Sequence, residues 1–166
     1  MIDRLEVVEF SREVGLAPET VEKDYVLGWL LSGIFNHPAL RSTWLFKGGT
    51  CLKKCFFETY RFSEDLDFTL QNSKHLTHEF LGPTFREVAS SVYESSGIEM
   101  PPDSITFEIY ANPRGKLAVQ GRIGYRGPLQ RRGSIPRIKL DLTDDERVVH
   151  DPVWRQVQNR NGNRFN

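Results

Sequence analysis

The sequence predicts an α/β (α+β) protein, a mixed β-sheet with flanking helices. Two patterns point there. Apolar residues recur at helical spacing over long stretches and alternate with polar ones over short stretches. The two kinds of segment are interleaved in the order α, α, β, α, β, α, β, β, β. The length, 166 residues with 39% apolar and 27% charged content, suits one folded soluble domain with its own core.

Residues 3–14 form the first and weaker helix candidate. Ala17-Pro18-Glu19-Thr20 reads as a helix start with proline in the first turn. Val21, Tyr25, Leu30, Leu31 and Ile34 then give an apolar face, and Asn36-His37-Pro38 ends the helix. Trp44-Leu45-Phe46 is a short buried strand. Thr50 to Tyr60 reads as a helix with Leu52, Cys55 and Phe56 inward. Asp65 to Leu70 alternates acid and apolar residues, as a strand does. Residues 75–96 are the clearest helix, with Leu76, Phe80, Leu81, Phe85, Val88 and Val92 in period. Ser104–Tyr110 and Lys116–Tyr125 are strands joined by the turn Asn112-Pro113-Arg114-Gly115. Gly127-Pro128 and Gly133 mark a loop, and Arg137 to Thr143 is the last strand. Residues 1–152 are therefore assigned to the core and 153–166 to a polar, disordered tail.

The charge total is +0, but its distribution is uneven. Eight basic residues and no acid lie between Arg114 and Lys139; Asp141, Asp144, Asp145, Glu146 and Asp151 follow. Such a strip (Arg114, Lys116, Arg122, Arg126, Arg131, Arg132, Arg137, Lys139) suits an anionic partner, with Tyr110 and Tyr125 available to stack bases. Cys51 and Cys55 make no disulfide framework and suit a reducing, cytoplasmic setting. The most apolar stretch, Tyr25 to Phe35, is too short to span a membrane, and the N-terminus is not a signal peptide. His75 and His78 lack a matching pair, so zinc is not expected. Gly-x-Ser-x-Gly is absent, and Gly121-x-x-Gly124 is too short for a dinucleotide fingerprint.

One constellation carries chemistry. Asp65 and Asp67, two apart on a strand, share a face, and Asp141 sits between leucines on another strand. Gly48-Gly49-Thr50 follows a strand and opens a helix, where backbone N–H groups and a hydroxyl suit a phosphate, with Lys47 beside them. Arg61 and Ser63 flank the acid pair; Arg61 either steadies a triphosphate or pairs with Glu64 or an aspartate. Three acids beside a phosphate cradle suit divalent cations, Mg²⁺ or Mn²⁺, and two-metal phosphoryl or nucleotidyl transfer. Glu22-Lys23-Asp24 reads as a solvated helix face, with Lys23 reaching the pocket only if the helix folds back over the sheet.

Glu22-Lys23-Asp24-Tyr25, Phe46-Lys47-Gly48-Gly49-Thr50-Cys51-Leu52, Arg61-Phe62-Ser63-Glu64-Asp65-Leu66-Asp67 and Lys139-Leu140-Asp141-Leu142-Thr143 resemble the nucleotidyl transferase AbiEii/AbiGii toxin family. The resemblance covers residues 20–152 and implies a DNA polymerase beta-like nucleotidyltransferase fold. It implies a toxin of a bacterial toxin–antitoxin or abortive infection system that transfers NMP from an NTP to an RNA, in some relatives tRNA, or to a protein acceptor. It implies Asp65, Asp67 and Asp141 as metal carboxylates, Gly48, Gly49 and Thr50 on phosphate, and a cognate antitoxin. It further implies a helical C-terminal half with a Glu-Lys pair that this chain lacks, so a truncated member that binds nucleotide or RNA without transfer is the alternative expectation.

Overall fold

The alternating segments pair into a five-stranded sheet of order β1-β2-β5-β4-β3 in the computed structural model, which describes residues 1–56, 64–146, 148 and 151–157. The strands are β1 (Trp44–Lys47), β2 (Asp65–Leu70), β3 (Ile105–Ala111), β4 (Leu117–Gly124) and β5 (Arg137–Thr143). β2 and β5 run parallel; β1–β2, β5–β4 and β4–β3 are antiparallel. The mixed sheet expected from the sequence is what forms.

The two-residue repeat divides the sheet into unlike faces. Trp44, Leu66, Phe68, Leu70, Val119, Ile123, Ile138, Leu140 and Leu142 are buried on one face. Helices α2 (Pro18–Asn36) and α4 (His78–Ser96) cover it, contributing Leu27, Leu30, Leu31, Ile34, Phe85, Val88 and Val92. The two helices approach closely at Gly33, where a Cβ would lie 2.8 Å from Val92 and 3.1 Å from Val88. The other face carries Lys47, Asp65, Asp67, Gln120, Arg122, Lys139, Asp141 and Thr143, none of them buried. One apolar layer and one polar face is the pattern of a sheet packed on a single side.

Local signals account for the helix ends. Helix α1 (Arg4–Val14) starts at a reciprocal pair of bonds: Glu6 N–H donates to Asp3 Oδ1 (2.9 Å), and Asp3 N–H to Glu6 Oε2 (2.7 Å). It stops at Gly15, whose φ of 69° is left-handed. The helix expected over 75–96 begins only at His78. Asn72 caps a 3-10 turn at Ser73–His75, and Thr77 then starts α4 by accepting from Phe80 N–H.

Helix α3 (Gly48–Cys55) corrects a second expectation. Its inward face is not Leu52, Cys55 and Phe56. Leu52 and Phe56 are exposed and Cys55 is half-buried, whereas Thr50, Lys53 and Lys54 are buried. Buried ion pairs, not hydrophobic residues, tie this helix down, so an apolar-period argument picks the wrong side. Residues 57–60 of the expected helix lie outside the described residues. A cavity of about 630 Å³ opens at the β1 edge between α2, β1, α3 and residues 148 and 151–157. Residues 151–157 have no regular secondary structure, yet Val157 packs on the core and the Trp154 ring lies 5.8 Å from the Arg41 guanidinium.

Candidate active site

Register brings the distant acids together. Asp67 of β2 is the direct parallel partner of Asp141 of β5, with Lys47 of β1 on one side and Gln120 of β4 on the other. Neighbouring strands run about 4.8 Å apart, so these carboxylates crowd one patch of the polar face. Asp65 lies on the same face two residues earlier, level with Lys139 and Arg122.

Electrostatics follow from the crowding. Burial, then the negative charges of Asp141 and Asp65, push the Asp67 carboxyl above its ordinary value; Lys47 and Lys139 pull it back only in part. Lys139 Nζ lies 2.7 Å from Asp141 Oδ2, and that bond holds its ammonium above the usual lysine value. Lys47 pairs with Glu146, whose carboxyl also accepts from the Thr69 hydroxyl at 3.0 Å and is held below its ordinary range by Lys47. The row is thus acid, acid and two committed cations. Among the described residues no three acidic, histidine or cysteine side chains are gathered closely enough to hold a metal ion. Asp141 is turned onto Lys139, and Asp65 sits a strand repeat away.

The glycine turn abuts this patch. Gly48 has φ 77°, and a Cβ there would overlap Asp67 Oδ2 and lie 3.1 Å from its Cγ. Only glycine permits both the left-handed backbone and the contact. Lys47, which precedes α3, makes no side-chain cap, so the first N–H groups of α3 have no capping side chain. Thr50 departs from its expected role. Its hydroxyl, fully buried, donates to the Asp65 carbonyl at 2.6 Å, because α3 packs directly on β2. It fixes the turn to the acid strand and is not presented to a phosphate. Arg61 and Ser63 lie outside the described residues.

Two more expectations are overturned. Tyr125 is fully buried and stacks no base, its side chain enclosed near Glu22 and Arg131; Tyr110 is exposed on the polar face. Glu22 and Asp24 are not a solvated face: Glu22 is 1% exposed, and Asp24 Oδ1 and Oδ2 meet Lys53 and Lys54 at 2.6 and 2.8 Å. The basic strip is partly committed, since Arg131 meets Glu22 at 3.1 Å and Arg126 and Arg114 lie 3.6 Å from Glu99 and Asp145. Lys139, which the sequence places in the basic strip, and Glu146, to which it gives no role, flank the acids. Lys139 was legible, being two residues from Asp141 on a strand. The β1-edge cavity is lined by none of the three acids.

The five-stranded mixed sheet with its flanking helices is consistent with a nucleotidyltransferase-like fold. The model of the nucleotidyl transferase AbiEii toxin family, of type IV toxin–antitoxin systems, matches residues 29–164. The chain belongs to this family. No curated protein matches it. Membership of the AbiEii family supports a toxin nucleotidyltransferase and implies a nucleotide substrate and a cognate antitoxin. The match starts at Trp29, after Glu22-Lys23-Asp24, and runs on through the polar stretch beyond Pro152. No helix among the described residues is long and apolar enough to cross a membrane.

Proposed function

We propose that this AbiEii-family chain is a cytoplasmic, divalent-cation-dependent nucleotidyltransferase that moves NMP from an NTP to an RNA acceptor, with pyrophosphate leaving. The register pairing of Asp67 with Asp141 against Gly48 is the observation that carries it. The donors suit a hard cation: they are carboxylate oxygens, burial and then their mutual repulsion raise Asp67, and Lys139 already stands in as a cation on Asp141. Asp65, Asp67 and Asp141 would hold Mg²⁺ or Mn²⁺ once Asp141 turns from Lys139 and the three carboxylates draw together, since in the present arrangement they are not gathered closely enough. When bound, the ion neutralises triphosphate charge and acidifies the acceptor hydroxyl.

The rest falls to the chain's own groups. The backbone N–H groups of Gly48 and Gly49 receive the phosphate, and Thr50 keeps them against β2. Asp141 accepts the proton of the acceptor hydroxyl, positioned by Lys139. Lys47, balanced by Glu146, sets the charge at the turn. Arg122, exposed beside Lys139, and the basic residues beyond it attract the acceptor backbone. A tRNA, another RNA or a protein is compatible with this face.

Asp67→Asn and Asp65→Asn are expected to lower labelling of total RNA by radioactive NTPs at least ~100-fold, with the fold intact by circular dichroism. Undiminished labelling by either variant rejects the assignment. The bond between Lys139 and Asp141 favours a second reading, a chain that binds nucleotide without transfer. Mg·NTP binding by the wild type with no labelled product from any of the four NTPs selects it.

A further inference from the structure

Successive helical residues are rotated by about 100°, so three in a row face three directions. Near the start of α2 all three are charged, and each reaches a different segment of the site. Glu22 Oε1 accepts from Leu129 N–H at 2.7 Å and Oε2 from Arg131 Nη2 at 3.1 Å, which seats the loop between β4 and β5. That loop is moulded on the carboxylate, for a Cβ at Gly127 would lie 2.7 Å from Glu22 Oε1. Lys23 Nζ lies 2.7 Å from Glu64 Oε2, one residue before Asp65. Asp24 takes Lys53 and Lys54 of α3 on its two oxygens, and its carbonyl accepts from Lys54 again at 2.9 Å. Helix α3 is the one that starts at Gly48.

Removing these charges from water is costly, and well-packed apolar residues of similar volume often stabilise a fold as well or better. Lys54 is 1% and Lys53 6% exposed, so the cost is real. What the ion pairs add over apolar packing is direction. Asp24 receives both lysines through fixed oxygens, and the two ammonium groups outweigh burial to keep its carboxyl below the ordinary value.

We propose that Glu22, Lys23 and Asp24 are positioning residues that fasten the glycine turn, the acid strand and the basic loop to one turn of α2. They lie outside the span matched by the family model. The inference rests on the nucleotide reading of the polar face, but its mechanical part is measurable without turnover. Cys51 and Cys55, half-buried on α3, report on that helix. In Asp24→Asn, maleimide labelling of these thiols is expected to speed up about 10-fold. The KM for NTP is expected to rise about 10-fold with kcat within two-fold, and Asp24→Glu to recover part of both. Glu22→Gln is expected to leave thiol labelling at the wild-type rate while raising the KM for RNA. Unchanged labelling and unchanged NTP KM in folded Asp24→Asn overturn the proposal. So does an equal gain in labelling in both variants, which marks general loosening. If Asp24→Asn does not fold, Lys54→Met, which leaves Asp24 paired with Lys53, is read in its place by the same criteria. Faster thiol labelling in Asp24→Asn, in a chain whose wild type neither binds Mg·NTP nor transfers nucleotide, upholds the clamp and sinks the nucleotide reading instead.

Discussion

Asp67 is the residue at which stability and chemistry pull apart. Burial and two like charges raise its carboxyl above the ordinary 3.8, so the folded state disfavours the ionised form. The sign is fixed by linkage. Below the ordinary value the group is protonated folded or unfolded and costs nothing; the penalty grows as pH rises from the ordinary to the raised folded value and is constant above it. Asp67→Asn is therefore expected to raise Tm at pH 7 by roughly 2 °C, a small figure because solvent screens a half-exposed group, and the gain should vanish near pH 4. Thermal melts of both proteins across that range check it; an equal or lower Tm for the variant at pH 7 contradicts the electrostatic account. Gly48 is the complementary case. Gly48→Ala strains a left-handed φ of 77° and drives a methyl into Asp67 Oδ2, so a loss of about 1–3 kcal/mol in urea unfolding is expected, together with loss of transfer. At this scale the acids were readable, because Asp65 and Asp67 share a face by period and Asp141 stands alone between leucines. Their committed partners were less so. Glu146 pairs with Lys47, 99 positions away in the chain, and nothing local announces it.

The elements were legible to the extent that their core face is apolar. β2 and β5 match their expected limits at Asp65–Leu70 and Arg137–Thr143, since strict alternation leaves little freedom in register. Helix α3 was misread because its inward face is Thr50, Lys53 and Lys54, residue types that periodicity assigns to solvent. The same blindness hid Glu22 and Asp24. The element that links turn to sheet is also testable. Thr50 Oγ1 bonds the Asp65 carbonyl at 2.6 Å from a fully buried position. Thr50→Val keeps the shape and deletes the donor, leaving that carbonyl one partner short. A loss of about 1–2 kcal/mol is expected in chemical denaturation. A hydroxyl serving phosphate instead would leave stability untouched and move only the KM for NTP.

At the scale of the whole molecule, Lys47, Asp65, Asp67, Lys139 and Asp141 share one open face of a sheet whose other side is covered by α2 and α4. Ligand binding there should couple to global stability, because α2, α3 and the β4–β5 loop all meet at that sheet. A ligand that binds only the folded state at 100 times its Kd adds about 2.7 kcal/mol. For a chain of this length that is roughly 5–10 °C in Tm. Mg²⁺ alone competes with Lys139 for Asp141 and should shift Tm little; Mg²⁺ with NTP brings its own negative phosphates to both lysines and should give the full shift. Lys139→Met removes the competitor. It is expected to enlarge the shift from Mg²⁺ alone while shrinking that from Mg·NTP. Differential scanning fluorimetry of wild type, Asp67→Asn and Lys139→Met, each with Mg²⁺, NTP and both, separates the terms. A Mg·NTP shift that survives Asp67→Asn unchanged would place the nucleotide away from this face, and a Lys139→Met response to Mg²⁺ no larger than that of the wild type would mean that Lys139 does not hold Asp141 from the cation.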